Sequence, residues 1–105
     1  MTKINFLPQN DRAGFTVTGH TDFANAGNDI VCAGVSSVVA MVEMTLNDVL
    51  KVEAETVIKE GVVTLRLPEK MSHENSFAAE CILAGMKGYL EQLAKEYPQN
   101  LIIEE

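Results

Sequence analysis

The chain has 105 residues, of which 47% are hydrophobic, and 15 Asp and Glu against 8 Lys and Arg give a net charge of −7. This length predicts one domain, residues 1–105, with a core that needs neither metal nor disulfides. An acidic chain is unsuited to gripping phosphate backbones, so we expect no direct nucleic-acid binding. We see no apolar run long enough to span a bilayer and no leader segment, which predicts a cytoplasmic protein without membrane contact.

Two cysteines and two histidines are the soft metal ligands of the chain. Their positions match no metal-site spacing, so we expect no metal and no other cofactor. In a reducing compartment we expect no structural disulfide between Cys32 and Cys81. Cys81 follows several alanines in a helical stretch and is predicted as a core residue, whereas His73 is predicted to face solvent.

The N-terminal part of the chain predicts a β-hairpin. Alternating apolar residues indicate strands over Lys3–Leu7 and Ala13–Thr18, and the intervening residues 8–11 have the composition of a turn. Gly19 and His20 end the second strand. The hairpin therefore places the imidazole of His20 at the end of its second strand.

A loop and a long helix follow. The small and polar residues Thr21–Asn28 predict the loop, in which Gly27 indicates a need for backbone freedom. Asn28 or Asp29 can cap the helix, since its side chain accepts from first-turn N–H groups. The apolar residues at helical spacing are Val31, Val35, Val38, Val39, Val42, Leu46 and Val49.

The second half predicts another hairpin, over Lys51–Lys59 and Val62–Leu67, with Glu60-Gly61 as its tight turn. Leu101–Ile103 is predicted as a short last strand. The order β-β-α-β-β-α-β predicts an α+β two-layer sandwich, with a mostly antiparallel sheet and two packed helices. The order of strands within the sheet stays open.

The second helix is predicted to begin after a Ser72 cap and to end before Pro98. Gly85 and Gly88 are costly inside a helix, so we expect them to allow close packing against the first helix or another subunit. The apolar stripe of this helix consists of Ala79, Ile82, Leu83, Met86, Leu90, Leu93 and Tyr97.

Cys32 and His20 form the candidate catalytic pair. If Asp29 caps the helix, Cys32 lies in the first turn, where N–H groups and the helix dipole favour a thiolate. A nearby His20 imidazolium would favour it further and could later protonate a leaving amine. The same N–H groups could bind the oxyanion of a tetrahedral intermediate. At about 100° per residue, Asp29 and Ser36 share the helix flank of Cys32.

Other interpretations stay open. A cysteine among valines and alanines is often a small buried hydrophobe, and Asp29 alone is often only a cap. Asp22 competes with Asp29 as the carboxylate that orients His20. A non-catalytic interaction module, with Cys32 buried, is the main alternative to an enzyme. A thiol redox sensor is the third possibility, since an exposed thiolate oxidises readily.

The segment from Gly19 to Ser36 resembles, over most of its length, the signature of the ribosomal-processing cysteine protease family, Prp. Thr21 and Gly34 depart from it, at positions where alanine is usual. The matching segments are Gly19-His20, Gly27-x-Asp29-Ile30-Val31-Cys32-Ala33 and Val35-Ser36.

The resemblance implies a cytosolic bacterial thiol protease, homodimeric and active in ribosome biogenesis. With this resemblance, the non-catalytic alternative is a ribosome-assembly module in which Cys32 is buried. Its substrate would be the N-terminal extension of a large-subunit ribosomal protein whose tail reaches the peptidyl-transferase centre. Carried over by motif, Cys32 is the nucleophile and His20 its base and acid. Gly19, Asp29 and Ser36 have supporting roles. The loop with Thr21, Asp22, Phe23 and Gly27 resembles a mobile flap that contacts substrate.

Overall fold

The structure is a computed structural model that describes residues 1–7, 12–19 and 26–104, and for 26–29 the backbone alone. Its element order confirms the predicted β-β-α-β-β-α-β arrangement. The elements are β1 (Thr2–Leu7), β2 (Gly14–Thr18), α1 (Ala26–Met44), β3 (Glu55–Lys59), β4 (Val62–Arg66), α2 (His73–Glu96) and β5 (Leu101–Glu104).

The described strands form one sheet in the order β3-β4-β2-β1-β5. All neighbours are antiparallel except β1 and β5, which are parallel. The register places Ile4 opposite Val17 and Phe15 opposite Leu65. These residues belong to the core, together with the inward stripes of α1 and α2. The fold is therefore the predicted α+β two-layer sandwich, with both helices on one face of the sheet.

Most of the predicted stripe of α1 packs inward. Val31, Val35, Val42 and Leu46 are buried, but Val49 is 70% exposed. The helix continues beyond Met44 as a π-helical turn, Thr45–Val49, in which the Leu50 N–H donates to the carbonyl of Thr45. This turn holds more residues than an α-helical one, so it rotates Val49 away from the stripe.

The sequence-based expectation that no segment is apolar enough to span a bilayer needs a correction. Ile30–Val49 has the length and the mean hydropathy, 1.6, of a candidate membrane span. Length and composition alone make this segment a candidate, and the core helix of a protein that does not span a membrane can have the same length and composition. In this structure the stripe of the helix packs against the sheet.

Strand β3 begins at Glu55, four residues later than predicted, although Val52 and Ala54 are buried as expected. Lys51 and Glu53 have positive φ angles of 54° and 65°, which extended strands do not allow. The Asn47 side chain binds both backbone groups of Ala54, accepting from its N–H at 2.7 Å. This segment is therefore a connection with two buried side chains, bonded to the π-helical turn, and it is not part of the sheet.

The start of α2 is as predicted. The Ser72 hydroxyl oxygen accepts a hydrogen bond from the Asn75 N–H at 3.1 Å, which is N-cap geometry. His73 is exposed, as expected. Ala79, Met86, Leu90 and Leu93 are buried, and the rest of the predicted stripe is partly buried against the core.

On the other faces of α2, the predicted burial of Cys81 and the predicted packing of Gly85 and Gly88 against α1 were wrong, whereas packing of these glycines against another subunit stays a prediction. Cys81 is exposed, because it lies about 200° around the helix from the buried Ala79. A Cβ atom on Gly85 or Gly88 would meet nothing within 4 Å, so neither glycine packs against α1. The close approach of the helices is instead at Gly34, where a Cβ would lie 3.2 Å from a Leu93 methyl carbon.

Candidate active site

Helix α1 begins at Ala26, and this changes the local setting predicted for Cys32. Asn28 and Asp29 lie within the first turn, so neither is the residue that precedes the helix. Residues 26–28, predicted as loop, are helical. Cys32 lies in the second turn. It therefore follows the first four N–H groups, which have no acceptor within the helix, and lies beyond the first turn, where the helix dipole favours a negative charge most strongly. The predicted oxyanion hole of first-turn N–H groups beside Cys32 is therefore not supported.

The remaining predicted site residues divide between described and undescribed parts of the chain. His20, Thr21, Asp22 and Phe23 lie outside the described residues. Gly27 and Asp29 are described as helix backbone. Cys32 is half-buried, Ser36 is exposed, and Gly19 follows the last residue of β2. Cys32 and Cys81 form no disulfide with each other.

A cavity of about 260 Å³ brings Gly19, Cys32 and Ser36 together. It lies between one flank of α1 and the helix-covered face of the sheet. The helix contributes Cys32, Val35 and Ser36, which one turn of helical spacing places on the same side. The lining residues from the strands and their ends are Thr2, Val17, Thr18, Gly19, Ile58, Gly61 and Val63.

Gly19 is a glycine for two reasons. Its φ angle is +74°, a conformation that L side chains rarely adopt. A Cβ atom there would also collide with the backbone carbonyl oxygen of Met1. A glycine at position 19 therefore lets the end of β2 pass closely against the start of β1, and its supporting role in function stays a prediction.

The cavity is mainly aliphatic. Val17 and Val63 are paired across β2 and β4, and Ile58 is paired with Val63 across β4 and β3, so the three side chains share one face. Ile58 is 75% exposed because it belongs to an edge strand beyond the cover of α1, and it forms the rim. A small aliphatic site next to a thiol suits one apolar group of a larger ligand.

Thr2 is a cavity residue that the sequence reasoning missed. It is 4% exposed, and its hydroxyl oxygen is buried without a hydrogen-bond partner in the described structure. A hydroxyl at an inward position of the alternating series Thr2, Ile4, Phe6 was a usable signal. Its proximity to Cys32, however, depends on strand pairing that the sequence does not reveal.

No group of three His, Cys, Asp or Glu side chains that could hold a metal ion is found in the part of the chain that the structure describes. The expected absence of a metal stays a prediction for the chain as a whole.

Comparison with known proteins identifies the family. The family model described as "Cysteine protease Prp" matches residues 1–102. The chain belongs to the cysteine protease Prp family. It is 34% identical over 89 residues to the ribosomal processing cysteine protease Prp of Bacillus subtilis (strain 168), a match that covers 83% of this chain and 80% of that protein.

Solved structures agree with the fold of this Prp family member. The essential ribosomal processing protease Prp from S. aureus, in complex with a substrate peptide, has a TM-score of 0.81 at 21% identity and matches over 99% of this chain and 98% of its own. SMU.848 from Streptococcus mutans has a TM-score of 0.77 at 18% identity, over 99% of this chain and 92% of its own. A second S. aureus Prp structure, with a covalently linked product peptide, has a TM-score of 0.68 at 23% identity and covers 99% and 98% of the two chains.

Membership of the Prp family settles the class of chemistry. The family is one of cysteine proteases involved in ribosomal processing. The chain has two cysteines, and they lie in contrasting places. Cys32, on one flank of α1, lines the cavity, whereas Cys81 is exposed on α2.

Proposed function

We propose that this Prp family member is an endopeptidase in which Cys32 is the nucleophile and His20 is its general base and acid. The cavity is the observation that carries the proposal, since it joins Cys32 to two other motif residues, Gly19 and Ser36. A nucleophile must be reachable by a peptide carbonyl, and Cys32 is half-buried at a cavity whose rim residue, Ile58, is exposed.

The position of His20 in the chain supports its proposed role. It follows Gly19, which lines the same cavity as Cys32, and consecutive Cα atoms are about 3.8 Å apart. This connection supports the proposal that the His20 imidazole acts on the Cys32 thiol. Because Cys32 lies in the second turn of α1, its activation depends on this imidazole more than on the helix dipole. Asp29 and Asp22 remain the two candidates for orienting His20.

The reaction follows from these roles. With its proton held by His20, the Cys32 sulfur attacks the scissile carbonyl carbon, whose oxygen becomes an oxyanion. The C–N bond then breaks as His20 gives its proton to the leaving amine, and a thioester to Cys32 remains. His20 next takes a proton from water, which attacks the thioester and releases the acid and the thiol. Ser36, one turn from Cys32, lines the same cavity and is proposed to have a supporting role.

We propose the N-terminal extension of a large-subunit ribosomal protein as the substrate, cleaved in the cytoplasm. The support is the similarity to a relative named as a ribosomal processing protease. The net charge of −7 favours encounter with a basic partner, as ribosomal proteins are. The aliphatic cavity next to Cys32 favours an apolar part of the peptide near the cleaved bond.

The test is cleavage of the extended ribosomal protein from the same cell, followed by mass spectrometry. We expect Cys32→Ala and His20→Ala to lower the cleavage rate by on the order of 10³-fold or more, because each removes a group that bonds to the reacting atoms. Cys81→Ala is the matched control and should cleave like the parent protein. Cleavage by Cys32→Ala at the parental rate would refute the nucleophile assignment.

We further propose that the protein acts as a homodimer. The outer surface formed by α1 and α2, here called the helix-pair face, carries a cavity of about 370 Å³. Exposed Met41 and Tyr89 border this cavity, and Gly85 leaves open space beside it. Contiguous apolar surface of this kind marks a protein interface, and two copies of one chain can bury it against each other. The lining residues are Val38, Met41, Cys81, Ile82, Gly85, Met86 and Tyr89.

A further inference from the structure

Helix α1 lines the cavity with one flank and contacts α2 with another. Cys32 lies on the cavity flank, and none of the lining residues in the described part of the chain belongs to α2. Gly34 lies about 200° around the helix from Cys32, where a Cβ atom would have Leu93 and Tyr89 of α2 as its neighbours. The two flanks are thus on nearly opposite sides of α1. A change in the spacing of the helices therefore moves Cys32 relative to the cavity.

The absence of a side chain at position 34 allows the present spacing. A Cβ atom there would lie 3.2 Å from the Leu93 Cδ2 atom, closer than the roughly 3.5–4.0 Å at which carbon atoms pack without strain. It would also lie 3.8 Å from the Tyr89 hydroxyl oxygen. Leu93 is buried in the core, where close packing restricts its movement. Glycine is less favourable than alanine inside a helix, and the close approach of α2 gives a physical reason for it here.

We propose that Gly34 is a positioning residue, which sets the depth of Cys32 in the cavity by letting Leu93 pack directly against the backbone of α1. The proposal rests on the proposed role of Cys32 as the nucleophile. Gly34 has no side chain that could take part in bond cleavage, so it acts through the position of its helix. A methyl group at position 34 would push α1 away from α2, and thus toward the cavity, by a few tenths of an ångström. Attack on a carbonyl carbon requires a narrow range of distances and angles, so this shift should slow the reaction.

Two variants separate positioning from stability. Gly88→Ala adds the same methyl group to a helix where it meets nothing within 4 Å, and it is the matched control. Leu93→Val shortens the side chain that a methyl group at position 34 would meet, so Gly34→Ala/Leu93→Val should return α1 to its place. Because a smaller core side chain lowers stability, this double variant should be less stable than Gly34→Ala and yet more active. A merely structural role would make activity and stability fall together.

The first experiment needs no catalysis. In a Cys81→Ala background Cys32 is the one remaining cysteine of the chain, so alkylation by iodoacetamide reports on its thiol alone. We expect Gly34→Ala to slow alkylation about threefold, because the sulfur moves deeper into the cavity. Gly34→Ala/Leu93→Val should regain the parental rate, and Gly88→Ala should keep it. An unchanged rate in Gly34→Ala, or a slower rate that Leu93→Val does not restore, would overturn the proposal.

The second experiment follows cleavage of a peptide from the extended ribosomal protein. Gly34→Ala should lower kcat about fivefold with a smaller change in KM, since the sulfur is displaced while the strand residues of the cavity are unaltered. Gly34→Ala/Leu93→Val should recover most of this loss although its urea midpoint is the lower of the two. If kcat instead falls in the order of the urea midpoints, the role of Gly34 is merely structural and the proposal is wrong. If the parent protein cleaves no peptide, the protease function fails, and the alkylation rates still decide whether Gly34 positions Cys32.

Discussion

Two structural constraints require glycine at position 19, which lines the cavity. The φ of +74° requires a left-handed backbone, and the Met1 carbonyl lies where a Cβ would be. Gly88, in the middle of α2, has neither constraint, since its φ is helical and a Cβ there would meet nothing within 4 Å. The two glycines therefore respond in opposite ways to the same added methyl group.

We expect Gly19→Ala to lower the free energy of unfolding by about 2 kcal/mol or more, from left-handed strain plus displacement of the Met1 backbone. Gly88→Ala should raise it by roughly 0.5–1 kcal/mol, because alanine is the better helix former. Urea unfolding of both variants measures this. Equal effects of the same sign would show that the geometry at Gly19 does not constrain the residue.

Residue-level prediction succeeded where helical spacing alone decides the outcome. Cys32 and Ser36 share a flank of α1 as their spacing predicts, and both line the cavity. It failed at Cys81, because alanine neighbours predict burial whereas the helical phase turns the residue outward. The positions of His20 and Asp22 around the thiol depend on a loop, where sequence patterns carry little geometric information.

At the scale of elements, local patterns predicted the helices and strands of the described chain, and specific short-range hydrogen bonds changed where one of the strands begins. The π-helical turn after Met44 and the bonds from Asn47 to Ala54 convert the predicted start of β3 into a connection. Edge position explains the exposure of Ile58, which shares the helix-covered face of the sheet with Val63 but lies beyond the helix layer. Ile58 is therefore available to contact a bound peptide.

We expect Ile58→Ser to lower kcat/KM for the ribosomal substrate by about fivefold, because it removes apolar contact area at the cavity rim. Val57→Ser is the control, since Val57 is an exposed neighbour in the same strand on the opposite face of the sheet. Both variants should change stability equally and slightly. A similar loss of activity in Val57→Ser would mean that the strand as a whole, and not the rim contact, is responsible.

At the scale of the whole molecule, the site exists because of strand order, which the sequence left open. The two predicted hairpins place Thr2 near Gly19 and Ile58 opposite Val63, and the pairing of β4 with β2 brings the two hairpins into one compartment. The β2–β4 pairing joins residues far apart in the chain, and hydrophobic alternation cannot distinguish one such pairing from another. The resemblance in sequence identified the chemistry, whereas the shape of the cavity came from the fold.

The proposed homodimer can be tested by substitutions on the helix-pair face. Gly85→Glu should leave the protomer folded, because a Cβ there meets nothing within 4 Å, yet it places a charge beside the apolar cavity. We expect this variant to be monomeric by light scattering while the parent protein is dimeric, since an unpaired charge is costly in a buried interface. Ala84→Glu adds the same charge at an exposed position outside that cavity and should stay dimeric. A dimeric Gly85→Glu, or a monomeric parent protein, would contradict the proposed interface.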